Sequence, residues 1–218
     1  MTAPDLSALP VHLLVLDVDS TFVTGEQIDL LARHAGSGTK VAAITERAMQ
    51  GELDFAASLR QRVATLAGLP VAALQQVRAE IQLSPGAAEL AAAAGQLGWP
   101  LALVSGGFHE IVDPIAAEHG ITRVRANRFE MEGGLLTGRL SGPIIDRAAK
   151  AYWLRAFAAE ADIPLEHTVA VGDGANDLDM LDAAGLGIAY RAKPAVAARA
   201  DRAITGGGLE QVLELIGA

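Results

Sequence analysis

The chain has no cysteine. That absence removes disulfides, thiolate metal sites and cysteine nucleophiles together, and it is compatible with a reducing cytoplasm. A cluster of Lys and Arg is also missing. With 17 basic and 26 acidic residues the formal charge is −9, so a nucleic-acid backbone is not the expected partner. An anionic small substrate then needs individual positive groups. No uninterrupted apolar run is long enough to span a bilayer, even in the very hydrophobic neighbourhood of Ala91 to Ala94. Met1 to Pro10 lack a basic region followed by a long apolar segment, so no signal peptide is expected, and the expected location is cytoplasmic and away from membranes. The five histidines, His12, His34, His109, His119 and His167, show none of the close spacing of zinc ligands and read as ordinary core or surface residues.

What is present describes a chain folded throughout. Hydrophobic residues make up 51% and charged residues 20% of 218, with no low-complexity tract, enough for one compact unit carrying an inserted piece. Short apolar runs at Leu13 to Leu16, Pro100 to Val104, Thr168 to Val171 and Leu186 to Ala189 read as interior strands. Helical spacing falls between them, at Pro85 to Leu97 with Ser84 as an N-cap, Phe108 to His119 and Asp146 to Ala161. Alternating strands and helices predict a doubly wound α/β fold with a mostly parallel, Rossmann-like sheet. The interval 24–83 breaks this rhythm with helical patterns at Gln27 to His34, Lys40 to Met49, Phe55 to Leu66 and Val71 to Ile81. A helical cap domain over 24–83, inserted into a core of 1–23 and 84–218, is the expected organisation. Asn127 to Leu140, with Gly133-Gly134 at its centre, predicts a small β-hairpin flap.

Open parallel sheets bind ligands outside the carboxyl ends of their strands, and Asp17-Val18-Asp19-Ser20-Thr21 stands at such an end. Asp17 and Asp19, two apart, point the same way if the extended backbone persists. A capped strand-to-loop turn would also use Asp and Ser there. Three further places complete a set: Ser105-Gly106-Gly107, Lys150, and Gly172-Asp173-Gly174-Ala175-Asn176-Asp177. Taken singly, the first reads as a tight turn and the lysine as solvated helix surface. Together they answer the needs of a phosphoryl group. Asp17 can attack as a nucleophile, and Asp19 can protonate the departing alcohol and later activate water. Ser105 and the amides of Gly106 and Gly107 can donate to phosphate oxygens, Lys150 supplies fixed positive charge, and Asp173 and Asp177 form an oxygen-rich site that favours Mg²⁺ over zinc.

The four motifs, in this order across nearly the whole chain, resemble those of the haloacid dehalogenase superfamily of phosphotransferases, and within it the phosphoserine phosphatase family. The resemblance implies that Asp17 is the nucleophile and Asp19 the general acid/base. It also implies that Mg²⁺ is bound by the carboxylates of Asp17 and Asp173 with the backbone carbonyl of Asp19, Asp177 lying close by. Thr24-Gly25-Glu26 and Ser58-Leu59-Arg60 resemble the places where that family meets the ammonium and carboxylate of an amino-acid phosphate. Met49 and Phe55, in a run similar to the family's cap, are expected to shield the substrate from water, and Asn176 to assist in binding it. Phe22 stands where the family often has Leu. Only a short leader precedes the first strand, so feedback through an N-terminal regulatory domain, as in some relatives, is not expected.

The implied activity is Mg²⁺-dependent hydrolysis of O-phospho-L-serine, the last step of serine biosynthesis, by a monomer or homodimer acting on a small phosphorylated amino acid. Two other readings share the motifs. One is transfer of the phosphate to an alcohol such as homoserine, or hydrolysis of another small metabolite. The other is a signalling receiver domain phosphorylated on aspartate, against which stand the second acid Asp19 and the helical insertion.

Overall fold

The computed structural model describes residues 12–217. The leader, with the expectation that it holds no signal peptide, lies outside the described residues. Strand β1 (Leu13–Leu16) is fully buried at every position, with Leu14 and Leu16 packed on one face of the sheet and Leu13 and Val15 on the other. Four successive apolar side chains make this possible, because alternate residues point to opposite faces and both faces are covered by helices. A tight irregular turn (Val18–Phe22) follows, then helices α1 (Gln27–His34), α2 (Gly38–Met49), α3 (Phe55–Ala64) and α4 (Ala72–Glu80) with no strand between them. The α/β alternation resumes with α5 (Ala87–Leu97), β2 (Leu101–Phe108), α6 (His109–Glu118) and β3 (Arg123–Asn127). A hairpin of β4 (Phe129–Glu132) and β5 (Leu135–Leu140) precedes α7 (Arg147–Glu160), β6 (Thr168–Gly172), α8 (Leu178–Ala183), β7 (Leu186–Tyr190), α9 (Pro194–Ala197), β8 (Arg202–Ile204) and α10 (Gln211–Leu215).

The six-stranded sheet runs in the order β3-β2-β1-β6-β7-β8, and every pairing is parallel. β1 therefore lies centrally, between the strands that end in the second and fourth motifs. This order brings the carboxyl ends of β1, β2 and β6 side by side.

Three details depart from the sequence reading. β3 and β8 were not expected as strands; both are edges, and β3 alternates partly exposed arginines with buried Val124 and Ala126 instead of forming an apolar run. Helix α5 begins at Ala87, not Pro85, because Gly86 takes the left-handed region at φ 77° and the Pro85 carbonyl accepts a hydrogen bond from Leu209 N–H at 2.7 Å. Ser105-Gly106-Gly107 is part of β2 rather than a turn after it. The pairing with β3 slips there, from Val104 opposite Arg125 to Phe108 opposite Asn127, so β2 carries two extra residues and bulges.

The layer of α1 to α4 joins the sheet through a short antiparallel crossing. Thr24 N–H donates to Gln82 O at 2.8 Å and Ser84 N–H to Phe22 O at 3.0 Å, around a bridge between Val23 and Leu83. The β4–β5 hairpin, whose turn at Gly133-Gly134 has positive φ at both glycines, forms a second attachment. Gly68 N–H donates to Leu136 O at 2.8 Å, Leu136 N–H to Leu69 O at 2.9 Å and Val71 N–H to Gly134 O at 3.0 Å. Gly138 permits this docking. Its φ is 81°, and a Cβ there would stand 2.9 Å from Ala67 Cβ. Gly138→Ala is expected to destabilise the protein by more than the roughly 1–2 kcal/mol of a left-handed alanine alone. Gly98→Ala, with similar φ but open space around it, should show the backbone effect only. Urea unfolding of both variants measures the difference, and equal losses would remove the packing role from Gly138.

Candidate active site

Backbone geometry accounts for the pairing of the first two acids. Asp17 N–H still donates to Val171 O at 2.9 Å, as a continuation of β1, and the chain is extended at Asp17 (φ −65°, ψ 162°) and again at Asp19 (φ −64°, ψ 131°), on either side of Val18, the first residue of the irregular turn. It then reverses at Ser20, which sits in the left-handed region at φ 59°. A non-glycine residue is strained there by about 1–3 kcal/mol. Ser20 Oγ donates to Glu26 Oε1 at 3.0 Å, so the reversal also fixes the acid that opens α1.

Asp146 caps α7 by accepting from Ala149 N–H at 2.9 Å, and one turn further Lys150 lies on the helix's buried face. Its ammonium is fully enclosed and donates to Asp17 Oδ1 and Asp177 Oδ1, each at 2.6 Å. Burial alone would lower the lysine's pKa, and the two carboxylates outweigh it and raise it, so the charge is retained. Asp177 uses its other oxygen to accept from the N–H groups of Asp173 (3.1 Å) and Gly174 (2.9 Å), which shapes the loop after β6. Thr21 Oγ1 donates to Asp173 Oδ1 at 3.4 Å.

The second motif is held from both sides by carboxamides. Ser105 is buried and its Oγ accepts from Gly107 N–H at 2.8 Å. Gln27 Oε1 accepts from Phe108 N–H at 3.1 Å, while Asn127 Nδ2 donates to Gly106 O and Asn127 Oδ1 accepts from Ile145 N–H, at 2.8 and 2.9 Å. A Cβ at Gly107 would overlap the Gln27 amide, which explains the glycine. Neither Gln27 nor Asn127 stood out in the sequence, because a lone carboxamide carries no local pattern.

A cavity of about 430 Å³ lies between the strand ends and the helical layer. Asp17, Asp19, Asp173, Asn176, Gly106 and Gly107 form its floor, and Glu26, Met49, Phe55, Leu59 and Arg62 line it from the helices. Ser105 and Lys150 lie directly behind the floor. Arg60 is a correction: it is exposed and does not line the cavity. Arg62 does, and the reason is helical phase, since residues 55, 59 and 62 recur at the i, i+4, i+7 spacing of one face. Burial lowers the Arg62 pKa while Glu26, Asp29 and Asp19 act in the opposite sense, and its Nε is buried without a partner. Met49 is 71% exposed at the rim, so only part of it can shield a ligand.

Burial, with Asp177 next in importance, pushes the Asp17 carboxyl well above the usual carboxylate range, and Lys150 opposes this. Asp19 is pushed up to about 8, chiefly by burial and then by Glu26, with Gln27 opposing; Asp173 is pushed up to about 6 by burial, Asp177 and Glu26. Four acids thus face one buried ammonium. Oxygens of Asp17, Asp173 and Asp177 lie within 4.8 Å of one another. An all-oxygen donor set with surplus negative charge fits a hard divalent cation.

The elevated values set a direction for stability. Asp19 and Asp173 bind protons more tightly in the folded chain than in the unfolded one, where carboxyls titrate near about 4. Their contribution is present below that value and is lost as pH rises through about 6 and about 8. Calorimetry in chelator should therefore show a thermal midpoint that falls between pH 5 and pH 8, and a divalent cation should raise it more at pH 8 than at pH 5. A metal-induced rise of equal size at both pH values would contradict this account of the acids.

Residues 14–182 match the family model of the haloacid dehalogenase-like hydrolases. Phosphoserine phosphatase SerB2 of Mycobacterium tuberculosis is 53% identical over 206 residues, which cover 94% of this chain and 50% of that protein. The chain thus spans about half the length of this relative. The phosphoserine phosphatase of Streptococcus thermophilus is 50% identical over 204 residues, 94% of this chain and 95% of the relative. A solved phosphoserine phosphatase with bound substrate superposes with a TM-score of 0.88 at 39% identity, covering 94% of this chain and 98% of the other. The parallel sheet, the four motifs at its carboxyl edge and a family match across most of the length agree, and the chain belongs to the haloacid dehalogenase-like hydrolases.

Proposed function

We propose that the protein is a Mg²⁺-dependent phosphomonoesterase that hydrolyses O-phospho-L-serine to L-serine and phosphate, completing serine biosynthesis in the cytoplasm. The observation that carries the reading is one cavity holding, on its floor, a lysine-bound aspartate and, on its helical wall, both an acid and an arginine. A phosphate ester of an amino acid presents complementary groups: phosphate to the floor, ammonium to Glu26 and carboxylate to Arg62. The named activity of relatives at about 50% identity supports the same substrate. Membership of a hydrolase family also removes the receiver-domain alternative.

In the first step an Asp17 oxygen forms a bond to phosphorus as the P–O bond to the seryl oxygen breaks. The electron pair stays with that oxygen, which takes a proton from Asp19. Lys150 holds Asp17 Oδ1 and so aims the nucleophile and favours its ionised form against the burial that opposes it. Ser105 and the N–H of Gly106 are offered to phosphoryl oxygens, while the Gly107 N–H, bonded to Ser105 Oγ, holds that hydroxyl in place. In the second step Asp19 removes a proton from water, whose oxygen bonds to phosphorus while the bond to Asp17 breaks. Asp17, Asp173 and the Asp19 carbonyl, with Asp177 nearby, would hold Mg²⁺, which would supply charge neutralisation for the phosphoryl oxygens. Residues 24–83 act as a cap domain on the 1–23 and 84–218 core, with Phe55 and Leu59 keeping water from the reacting centre.

Asp17→Asn is expected to lower turnover by more than about 10³-fold with the fold retained; substantial residual activity would exclude attack by Asp17. Arg62→Ala should reduce kcat/KM for phosphoserine by roughly 10- to 100-fold, as befits one charge-assisted contact, and leave 4-nitrophenyl phosphate nearly unchanged. Arg60→Ala should behave as wild type on both. Equal losses on the two substrates in Arg62→Ala would remove its carboxylate role.

A further inference from the structure

Gln27 is the first residue of α1, is 1% exposed, and touches two motifs at once. Its Nε2 donates to Asp19 Oδ1 at 2.7 Å, and its Oε1 accepts from Phe108 N–H at 3.1 Å. A carboxamide has one donor end and one acceptor end. The backbone N–H of Phe108 can only donate, so it dictates which end of the amide faces it and leaves the NH₂ turned toward Asp19. Asp19 Oδ1 is then confined to accepting. We propose that Gln27 is a positioning residue for proton delivery: it reserves Asp19 Oδ1 as an acceptor, so that the proton passed to the leaving group sits on Oδ2.

The proposal rests on the reading of Asp19 as the general acid. Asp19 is only partly enclosed and lines the cavity, and the Gln27 amide is the side chain that bonds its Oδ1. The surrounding structure is built around the contact. Gly107 lacks the Cβ that would displace the amide, and the bulge of β2 between Val104 and Phe108 sets the N–H that Gln27 caps. The amide makes no hydrogen bond to Lys150, Asp17, Asp173 or Asp177. Its effect is therefore expected on proton transfer to the leaving oxygen rather than on attack at phosphorus.

Phenyl phosphate and 4-nitrophenyl phosphate separate the two, because they share a ring and differ in how much the departing oxygen needs a proton. The value of kcat/KM reports steps up to that departure. Gln27→Met keeps the length but loses both polar ends; Gln27→Asn keeps the amide but is one methylene too short to reach both partners. Each variant is expected to lose about 10-fold in kcat/KM on phenyl phosphate and less than about threefold on 4-nitrophenyl phosphate, a fraction of what general acid catalysis supplies. Circular dichroism and thermal midpoints establish which variants are folded, and one folded variant suffices for the comparison. Equal losses on both esters, the result of a displaced phosphate loop, would overturn the proposal, as would no loss on either. Asp19→Asn serves as the reference. A leaving-group split in Asp19→Asn without one in Gln27→Met or Gln27→Asn rejects the role of Gln27 alone, whereas no split in Asp19→Asn rejects the general-acid reading beneath it.

Discussion

The Lys150 ammonium between Asp17 and Asp177 is the contact on which the rest of the site depends. All three groups are essentially without solvent. Desolvating three charges is expensive, and an apolar cluster of the same volume would serve stability as well or better. What the ionic cluster does instead is fix geometry. It joins the end of β1, the second turn of α7 and the loop after β6, three segments far apart in sequence, with two bonds of 2.6 Å. Asp177 is then free to bind the N–H groups of Asp173 and Gly174, and Asp173 is presented beside Asp17 as a consequence. The arrangement leaves more negative than positive charge, which is why the same cluster that organises the loop also suits a divalent cation.

Sheet order makes this economical. Parallel strands deliver all their carboxyl ends to one edge, so the acids after β1, the donors in β2 and the acids after β6 meet without any long loop having to reach for them. Ser105, Gly106 and Gly107 have no paired partner in β1 or β3, because the bulge of β2 takes them out of register. Gln27 and Asn127 replace that missing support from opposite sides, each using both ends of its amide. Carboxamides suit the task better than carboxylates would, since they add no charge to a site already rich in it.

How far the sequence discloses this follows from burial. β1, β2, β6 and β7 are interior strands with apolar runs on both faces, and they were legible; β3 and β8 are edges with mixed faces and were not. The acids and Lys150 were legible because their order and spacing form a pattern, and the pattern resembles a known family. Ser105-Gly106-Gly107 read as a turn because glycine pairs punctuate turns, and nothing local tells a turn from a bulge. Arg60, expected beside the ligand, lies outside the cavity, and helix geometry gives the reason: seven residues on from Phe55 is two turns, which puts residue 62 on the face of Phe55.

The groups proposed to perform chemistry and those proposed to choose the substrate stand on different supports. Asp17, Lys150, Asp173 and Asp177 belong to the sheet and its packed helix, where two-sided burial leaves little freedom. Met49, Phe55, Leu59 and Arg62 belong to a helical layer joined to the sheet by the crossing at Val23 and Leu83 and by the β4–β5 hairpin. The floor is fixed by the buried ionic cluster, while the wall is carried by helices whose apolar residues, among them Leu59 and Val63, share one core cluster with Leu14, Leu16 and Phe108 of the sheet. Gln27 and Glu26 are the exceptions. They begin α1 yet bond to Ser20 and to Asp19 of the floor, so the first turn of the layer is tied to the proposed general acid, and the arginine further along the layer is not. On the proposed roles, proton transfer and carboxylate recognition can therefore be altered separately even though both involve residues of the same four helices.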